Sequence, residues 1–304
     1  MSDTTTLLNS EPTIPVRDQF APIKVIFLLG IHLGAVAAAW HATWAAVAVC
    51  FLLYAVCGVL GISVGYHRLL THRSFKCPRA MEYGLALLGS SSLEGGPIGW
   101  VAHHRQHHQY SDRHGDPHSA RQGFWWSHVL WMFWTTSKES WGEITHRYAP
   151  DLLRVPFYRF LGRMYVGVSL LAALLLYLLG GWPFVMWGMC VRLMFTYHTT
   201  WLVNSASHTF GYRNFPVNDL STNCWWVALL TGGEGWHNNH HAFPTSARHG
   251  LRFWEVDPAY GFIRLLQTVG LAWDLQTPAA KKLQSVEPAL TLKGPGRRPI
   301  WKTL

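Results

Sequence analysis

Hydrophobic and polar positions fall along this chain in blocks. Residues 25–67 contain no Asp, Glu, Lys or Arg, a stretch about twice the 20 or so residues that one helix needs to cross a bilayer. Two spans fit there, approximately 22–41 and 43–66, with a break near residues 41–43. A second run, 164–203, carries Arg192 as its single charge. Inside it, Gly180-Gly181-Trp182-Pro183 is a turn signal, which gives two more spans, approximately 163–180 and 183–203. The pattern predicts an all-α protein: four transmembrane helices in two hairpins, under a helical cap built from residues 68–163 and 204–274. Gly95-Gly96-Pro97 and Gly232-Gly233-Glu234-Gly235 break the cap segments. Residues 1–21 read as a polar, disordered tail and 276–304 as a basic tail, which leaves 22–275 as one domain.

Composition adds an environment and an orientation. The chain is 49% hydrophobic and only 13% charged, with 17 Trp and 18 His, the profile of a protein that lives in lipid. Apart from Arg192, the basic residues lie before the first uncharged run, between the hairpins, or beyond the fourth span, and the short hairpin turns carry none. The positive-inside rule then puts both termini and the cap in the cytosol. The net charge of +9 is accounted for by topology and by attraction to anionic head groups; no nucleic-acid partner is expected. The Trp-rich stretch 124–134 suits the membrane interface. No basic region leads into a short apolar core near the start, so a cleaved signal peptide is not expected. The five cysteines form no CxxC, which points away from a disulfide framework or thiolate cluster.

The histidines carry the chemistry. His67-Arg-Leu-Leu-Thr-His72, His103-His104-Arg-Gln-His107-His108 and His237-Asn-Asn-His240-His241 form three clusters, and His208 follows the fourth span. All four elements sit at or beyond span ends on one membrane side. On a helix, residues at i, i+3 and i+4 share a face, so His104/His107/His108 and His237/His240/His241 each present three imidazoles together. Packing so many rings without a metal would strand ring nitrogens at low dielectric. Nine candidate ligands exceed the six of one octahedral ion, so two metals are implied. The nitrogen-rich shell leaves iron, zinc, copper and nickel open, and iron is favoured if the reaction is oxidative. Glu143-Ile-Thr-His146 and Glu234-Gly-Trp-His237 imitate the Glu-x-x-His motif of soluble di-iron bundles, but Glu234 sits in a glycine-rich break and the other glutamates are scattered.

HRLLTH, HRQHH, NSASH and GEGWHNNHH, in this order and with hydrophobic hairpins between them, resemble the membrane fatty-acyl desaturases of the delta-9 type over roughly residues 25–274. The resemblance implies a di-iron centre (Fe2+/Fe3+) ligated by His67, His72, His104, His107, His108, His208, His237, His240 and His241, with Asn204 holding a metal-bound water. It implies an O2-dependent oxidoreductase that inserts a cis double bond into a long acyl chain. Trp100, Thr200 and Trp201 match residues that line the bend of the family's tunnel, and Glu94 stands where Gln is more usual. Val101 and Thr135-Thr136 replace basic residues of animal acyl-CoA desaturases, which favours an acyl-lipid substrate over acyl-CoA. His103, His32, His41, His114, His118, His128, His146, His198 and His249 are extra to this pattern and are expected to play ordinary structural roles.

Removing hydrogen from an unactivated methylene calls for a strongly oxidising metal–oxygen centre. No GxGxxG in a strand-turn-helix setting and no CxxCH occurs, so the electrons are expected from an external ferredoxin or a cytochrome b5 with its reductase, approaching the basic cytosolic face. A hydroxylase is the nearest alternative. A metal transporter is the alternative from another class, although transport sites lie near the bilayer midplane on the spans, whereas these clusters lie beyond them. Arg192, inside a predicted span, has no partner identifiable from sequence.

Overall fold

The computed structural model describes residues 19–135 and 138–279. The tails expected at 1–21 and 276–304 fall, apart from 19–21 and 276–279, outside the described residues, as does Thr136. Nearly all of the regular structure is helical. Helix α1 (Pro22–Ala37) opens with Pro, whose missing N–H costs nothing at a helix start, and passes through a 3-10 turn to His41. The break falls at the expected place: the Thr43 hydroxyl accepts from the Ala46 N–H (3.1 Å) and caps α2 (Trp44–Leu53). Helix α2 runs on without interruption as a π-helix, Tyr54–Thr71.

Four helices and a single turn follow: α3 (Arg79–Ser90), α4 (Pro97–Tyr110), α5 (Phe124–His128), α6 (Lys138–Tyr148) and the turn α7 (Pro150–Leu153). Helix α8 (Pro156–Val185) contains the second break: Gly180 (φ −154°, ψ 16°) and Gly181 (φ 64°, ψ −155°) leave helical geometry. The positive φ at Gly181 suits only glycine without strain. A short π-helical stretch, Met186–Val191, leads into α9 (Arg192–Ser205), which ends in a 3-10 turn at His208. Helices α10 (Trp225–Thr231), α11 (His237–Ala242) and α12 (Pro258–Thr268) follow.

Three helical stretches, Pro22–His41, Trp44–Thr71 and Pro156–His208, are long and apolar enough to cross a membrane, with mean hydropathies of 1.9, 2.5 and 2.0. Their outer faces expose Ile23, Leu33, Trp44, Leu178 and Leu179, which fits a lipid surround. Residues 19 and 20, assigned from sequence to the disordered tail, instead form an antiparallel ribbon: Gln19 pairs Thr135 and Phe20 pairs Trp134.

The π-helix packs tightly on α3. A Cβ on Gly61 would lie 2.5 Å from the Gly89 nitrogen, so only glycine admits this approach. Around the contact lies the main core, including Tyr66, Leu70, Val101, Leu161 and Ile263.

Arg192 also finds its place. Its guanidinium donates from Nε to the Gly188 carbonyl (3.0 Å) and from Nη1 to the Ser91 carbonyl (3.1 Å), with Met189 Sδ at 3.6 Å. Backbone carbonyls thus solvate a buried cation, and in doing so tie α9 to the loop after α3. His32, His198 and His128 form a separate hydrogen-bonded chain, with 3.0 Å between successive ring nitrogens and Ser205 Oγ 2.9 Å from His128 Nδ1. It links α1, α9 and α5.

A candidate metal centre

Helix geometry divides the nine histidines into two groups. His67, His72, His104, His108 and His240 bring one ring nitrogen each to a common point, as do His107, His208, His237 and His241; within each group these atoms lie within 4.8 Å of one another. The two HxxHH helices contribute crosswise. Helix α4 gives its i, i+4 pair, His104 and His108, to the first group and His107 to the second, while α11 gives His237 and His241 to the second and His240 to the first. The expectation that each triplet faces one way is therefore refined: i and i+4 align, and the intervening position turns towards a neighbouring point.

The spacing of HRLLTH is explained by the π-helix. Five residues on an α-helix are turned about 140° apart, but i→i+5 hydrogen bonding stacks them. The His72 N–H donates to the His67 carbonyl (3.2 Å), and the two rings lie 4.8 Å apart.

Nitrogen contacts in the first group match the spacing that a metal shell would have. His67 Nε2 is 3.1 Å from His240 Nε2, which is 2.9 Å from His108 Nε2, which is 3.1 Å from His104 Nε2. A bond of about 2.1 Å from each nitrogen to one metal, at right angles, gives about this spacing. Protons alone serve the arrangement poorly. His72 Nε2, His107 Nε2, His208 Nε2, both nitrogens of His237, His240 Nδ1 and His241 Nε2 are buried without a hydrogen-bond partner among the described residues. Each such atom costs about 1–3 kcal/mol, and a metal at each common point would take up one nitrogen per ring and remove that part of the penalty. Burial first, and neighbouring imidazoles second, hold His104, His108, His237, His240 and His241 well below the usual imidazole range. They are therefore neutral, the form that ligates. The donor set fits two metals.

Carboxylates orient the rings, and these the sequence reasoning missed. Asp112 Oδ2 lies 2.8 Å from His208 Nδ1, Asp219 Oδ2 2.8 Å from His241 Nδ1, and Asp116 Oδ2 3.0 Å from His107 Nδ1. In the first group, Glu234 Oε2 lies 2.6 Å from His67 Nδ1. Asp112 and Asp219 accept the Nδ1–H of their rings and so turn Nε2 inward, the support that ligating histidines ordinarily have, while Asp116 and Glu234 place a negative charge beside His107 and His67. Burial would raise the Glu234 carboxyl, but His67 and Arg68 outweigh it and keep it well below the usual range. Arg68 is fully buried and bridges Glu234 (3.1 Å) and Asp257 (2.9 Å). Glu234 was noticed only as part of a Glu-x-x-His echo; the three aspartates lie in loops with no periodic signal. His249, expected to be ordinary, is fully buried, 3.2 Å from Glu234 Oε2 and with its ring 4.5 Å from that of His240. His118 lies beside His107, rings 4.4 Å apart.

A cavity reaches this centre from between the helices. His67, His104, His237 and Asn204 line it together with Tyr54, Gly58 and Thr196 of the long apolar helices. Of the three residues expected at the bend, Trp100 and Thr200 line the cavity. Trp100 also stacks on His104, 5.1 Å between centroids. Trp201 is buried instead against Tyr197 and His198 and does not line it. Glu94 joins the other two, accepting from Trp100 Nε1 (3.0 Å) and Thr200 Oγ1 (2.8 Å).

Comparison with known proteins agrees with this arrangement. Residues 42–266 match the fatty acid desaturase family. The chain is 48% identical to the sn-1 stearoyl-lipid 9-desaturase of Anabaena variabilis, over 88% of its own length and 97% of that protein's. It is 48% identical to the sn-2 palmitoyl-lipid 9-desaturase of Nostoc over 82% and 88% of the two chains. To the acyl-CoA C20 Delta5-desaturase of Anemone leveillei it is 47% identical over 84% and 81%. With its two histidine groups meeting at the end of an apolar cavity, this chain belongs to the fatty acid desaturase family, and is an oxidoreductase of acyl chains.

Proposed function

We propose that this enzyme introduces a cis double bond at the delta-9 position of a long acyl chain held in a membrane lipid. The observation that carries the proposal is the cavity. It runs from among the apolar helices to His67 and His104 of one histidine group and His237 of the other, so a methylene chain lying in it would meet both groups at one end. The relatives named for stearoyl-lipid and palmitoyl-lipid 9-desaturation support the lipid-bound substrate and the position. Val101 is buried and apolar, and offers no charge to a CoA phosphate.

His67, His72, His104, His108 and His240 would hold one iron; His107, His208, His237 and His241 would hold the other, with Asn204 fixing a water at the cavity wall. When bound, the iron pair supplies, from O2 and two external electrons, the oxidising power that removal of two hydrogens from adjacent methylenes requires. The protein's own contribution is positional. Asp112 and Asp219 hold the ring protons at Nδ1 of His208 and His241, Asp116 and Glu234 lie beside His107 and His67, and together they keep the ligand nitrogens pointed inward. Trp100, braced by His104 and Glu94, and Thr200, braced by Glu94, shape the wall where the chain bends. The enclosing helices exclude bulk water from a reactive site. A ferredoxin, or a cytochrome b5 with its reductase, would deliver the electrons at the basic cytosolic face.

In the membrane, the break at Gly180–Gly181 divides Pro156–His208 into two spans. With Pro22–His41 and Trp44–Thr71 this gives four spans in two hairpins, with termini, cap and metal centre on the cytosolic side. Expression in a host without desaturases, with fatty-acid analysis by mass spectrometry, tests the function. Monounsaturated chains with the bond at carbon 9 are expected; a hydroxylated product would favour the hydroxylase reading, and unchanged lipids would reject both.

A further inference from the structure

Glu94 is a carboxyl group without a counter-charge. It sits in the loop between α3 and α4, and each of its oxygens accepts one hydrogen bond from a neutral donor, Trp100 Nε1 or Thr200 Oγ1. Among the described residues no ammonium, guanidinium or backbone N–H reaches it. The loop is held rigidly. Arg192 donates to the Ser91 carbonyl, the Tyr197 hydroxyl to that of Leu93 (3.3 Å), and the Tyr66 hydroxyl to that of Gly95 (3.4 Å). Leu93 adopts φ 56°, a left-handed conformation that costs a branched residue about 1 kcal/mol or more. The fold thus accepts strain to place this carboxyl behind two residues of the cavity wall.

The titratable groups facing it do not offer positive charge. Tyr54 and Tyr66 approach from the second long helix and Tyr197 from α9. Arg192 of α9 spends its guanidinium on the Gly188 and Ser91 carbonyls. From α4, His104 is separated from it by the Trp100 ring, and α8 approaches the loop through the Gly162 backbone while Arg163 stays exposed. Glu94 itself is only partly buried and does not line the cavity, but both of its donors do, so a chain against Trp100 and Thr200 would replace water with hydrocarbon directly in front of it. An ionised carboxylate behind such a chain would lose the stabilisation of nearby water and gain no partner.

We propose that Glu94 takes up a proton when an acyl chain enters the cavity, so that a neutral carboxylic acid holds Trp100 and Thr200 at the bend. This inference rests on the reading of the cavity as the acyl-chain site. The step is a simple protonation: the carboxylate gains one proton from the medium, and no other bond changes. Burial already pushes the free carboxyl up to about 7, against the pull of the Trp100 and Thr200 donors, so the uptake falls in an accessible pH range. Binding and pH are then linked, with tighter binding at lower pH.

The test uses purified, metal-loaded enzyme without reductant. Methyl stearate, which has no titratable group, is the probe, delivered from a neutral detergent between pH 6 and 9. Calorimetry in buffers of different ionisation heat gives both Kd and the protons exchanged. Above pH 7, Kd should rise towards tenfold per pH unit, with uptake approaching one proton per chain at pH 8. Both effects should vanish in Glu94→Gln, whose amide can accept from Trp100 and donate to Thr200 without titrating. Binding that is independent of pH, or proton uptake that persists unchanged in Glu94→Gln, would overturn the proposal and leave the cavity assignment standing. Absence of saturable binding at every pH would overturn both. The wild-type proton count decides the matter even if the variant does not fold.

Discussion

Replacing Asp112 with Asn should loosen one metal and leave the other in place. Asp112 is 1% exposed and accepts three hydrogen bonds. Oδ2 takes His208 Nδ1 (2.8 Å) and the Leu220 N–H (2.8 Å), while Oδ1 takes the Ala120 N–H (3.1 Å). Asn tolerates the left-handed backbone found here, φ 56°, so the loop should survive. Its single oxygen can keep His208 and Leu220, but its NH2 then faces the Ala120 N–H. One buried donor is left unpaired, at about 1–3 kcal/mol. His208 meanwhile exchanges a charged acceptor for a neutral one, and loss of such support lowers metal affinity by about 10–100-fold, roughly 1.4–2.7 kcal/mol. Because His208 belongs to the second group, dialysis against graded chelator, with metal counted by mass spectrometry, should show one metal per chain released at 10–100-fold lower chelator strength. A variant that keeps both metals as firmly as the wild type would refute the role given to Asp112.

Other consequences can be checked independently. The Glu94 carboxyl is raised from 4.5 to about 7 in the folded protein, so the unfolded chain releases its proton first. Its contribution to stability therefore falls as pH rises from 4.5 to 7, by at most about 3 kcal/mol; Glu94→Gln should raise the unfolding temperature relative to wild type more at pH 8 than at pH 5, and equal differences would refute this. A Cβ at Gly58 would meet the Tyr54 ring at 3.1 Å and Thr196 Cγ2 at 3.7 Å. Gly58→Val should accordingly block the deep end of the cavity and shift products to shorter chains, by about 10–200-fold per methylene, whereas an unaltered product profile would place the chain elsewhere. Arg192→Met deprives the Ser91 carbonyl of its charged donor, leaving only the longer bond from the Ser169 hydroxyl (3.4 Å), and should cost about 1–3 kcal/mol, seen as earlier thermal aggregation in detergent; unchanged behaviour would show the contact to be dispensable.

The histidines were legible because ligand spacing follows helix geometry. Two HxxHH runs read as candidate ligand faces without knowledge of where their helices lie, and Gly180–Gly181 announces its break through chemistry that no helix interior tolerates well. What could not be read was how the faces meet. The crosswise sharing between α4 and α11 depends on their packing, and the meaning of the five-residue step from His67 to His72 depends on a π-helix that hydropathy does not distinguish from an α-helix. Asp112, Asp116 and Asp219 were invisible for a related reason: each is brought to its histidine by a loop, and a loop carboxylate has no period. Arg192 looked like an unexplained charge because its partners are main-chain carbonyls, which sequence does not display. Trp201 was placed at the cavity by resemblance alone, and its ring packs on the side of α9 with Tyr197.

The central claim, that nine imidazoles hold two irons, is tested most directly by iron K-edge X-ray absorption on purified enzyme together with an iron count on the same sample. Two irons per chain in a shell of nitrogen and oxygen at about 2.1 Å is the result expected. One iron or none in folded protein, or sulfur in the shell, would contradict the account.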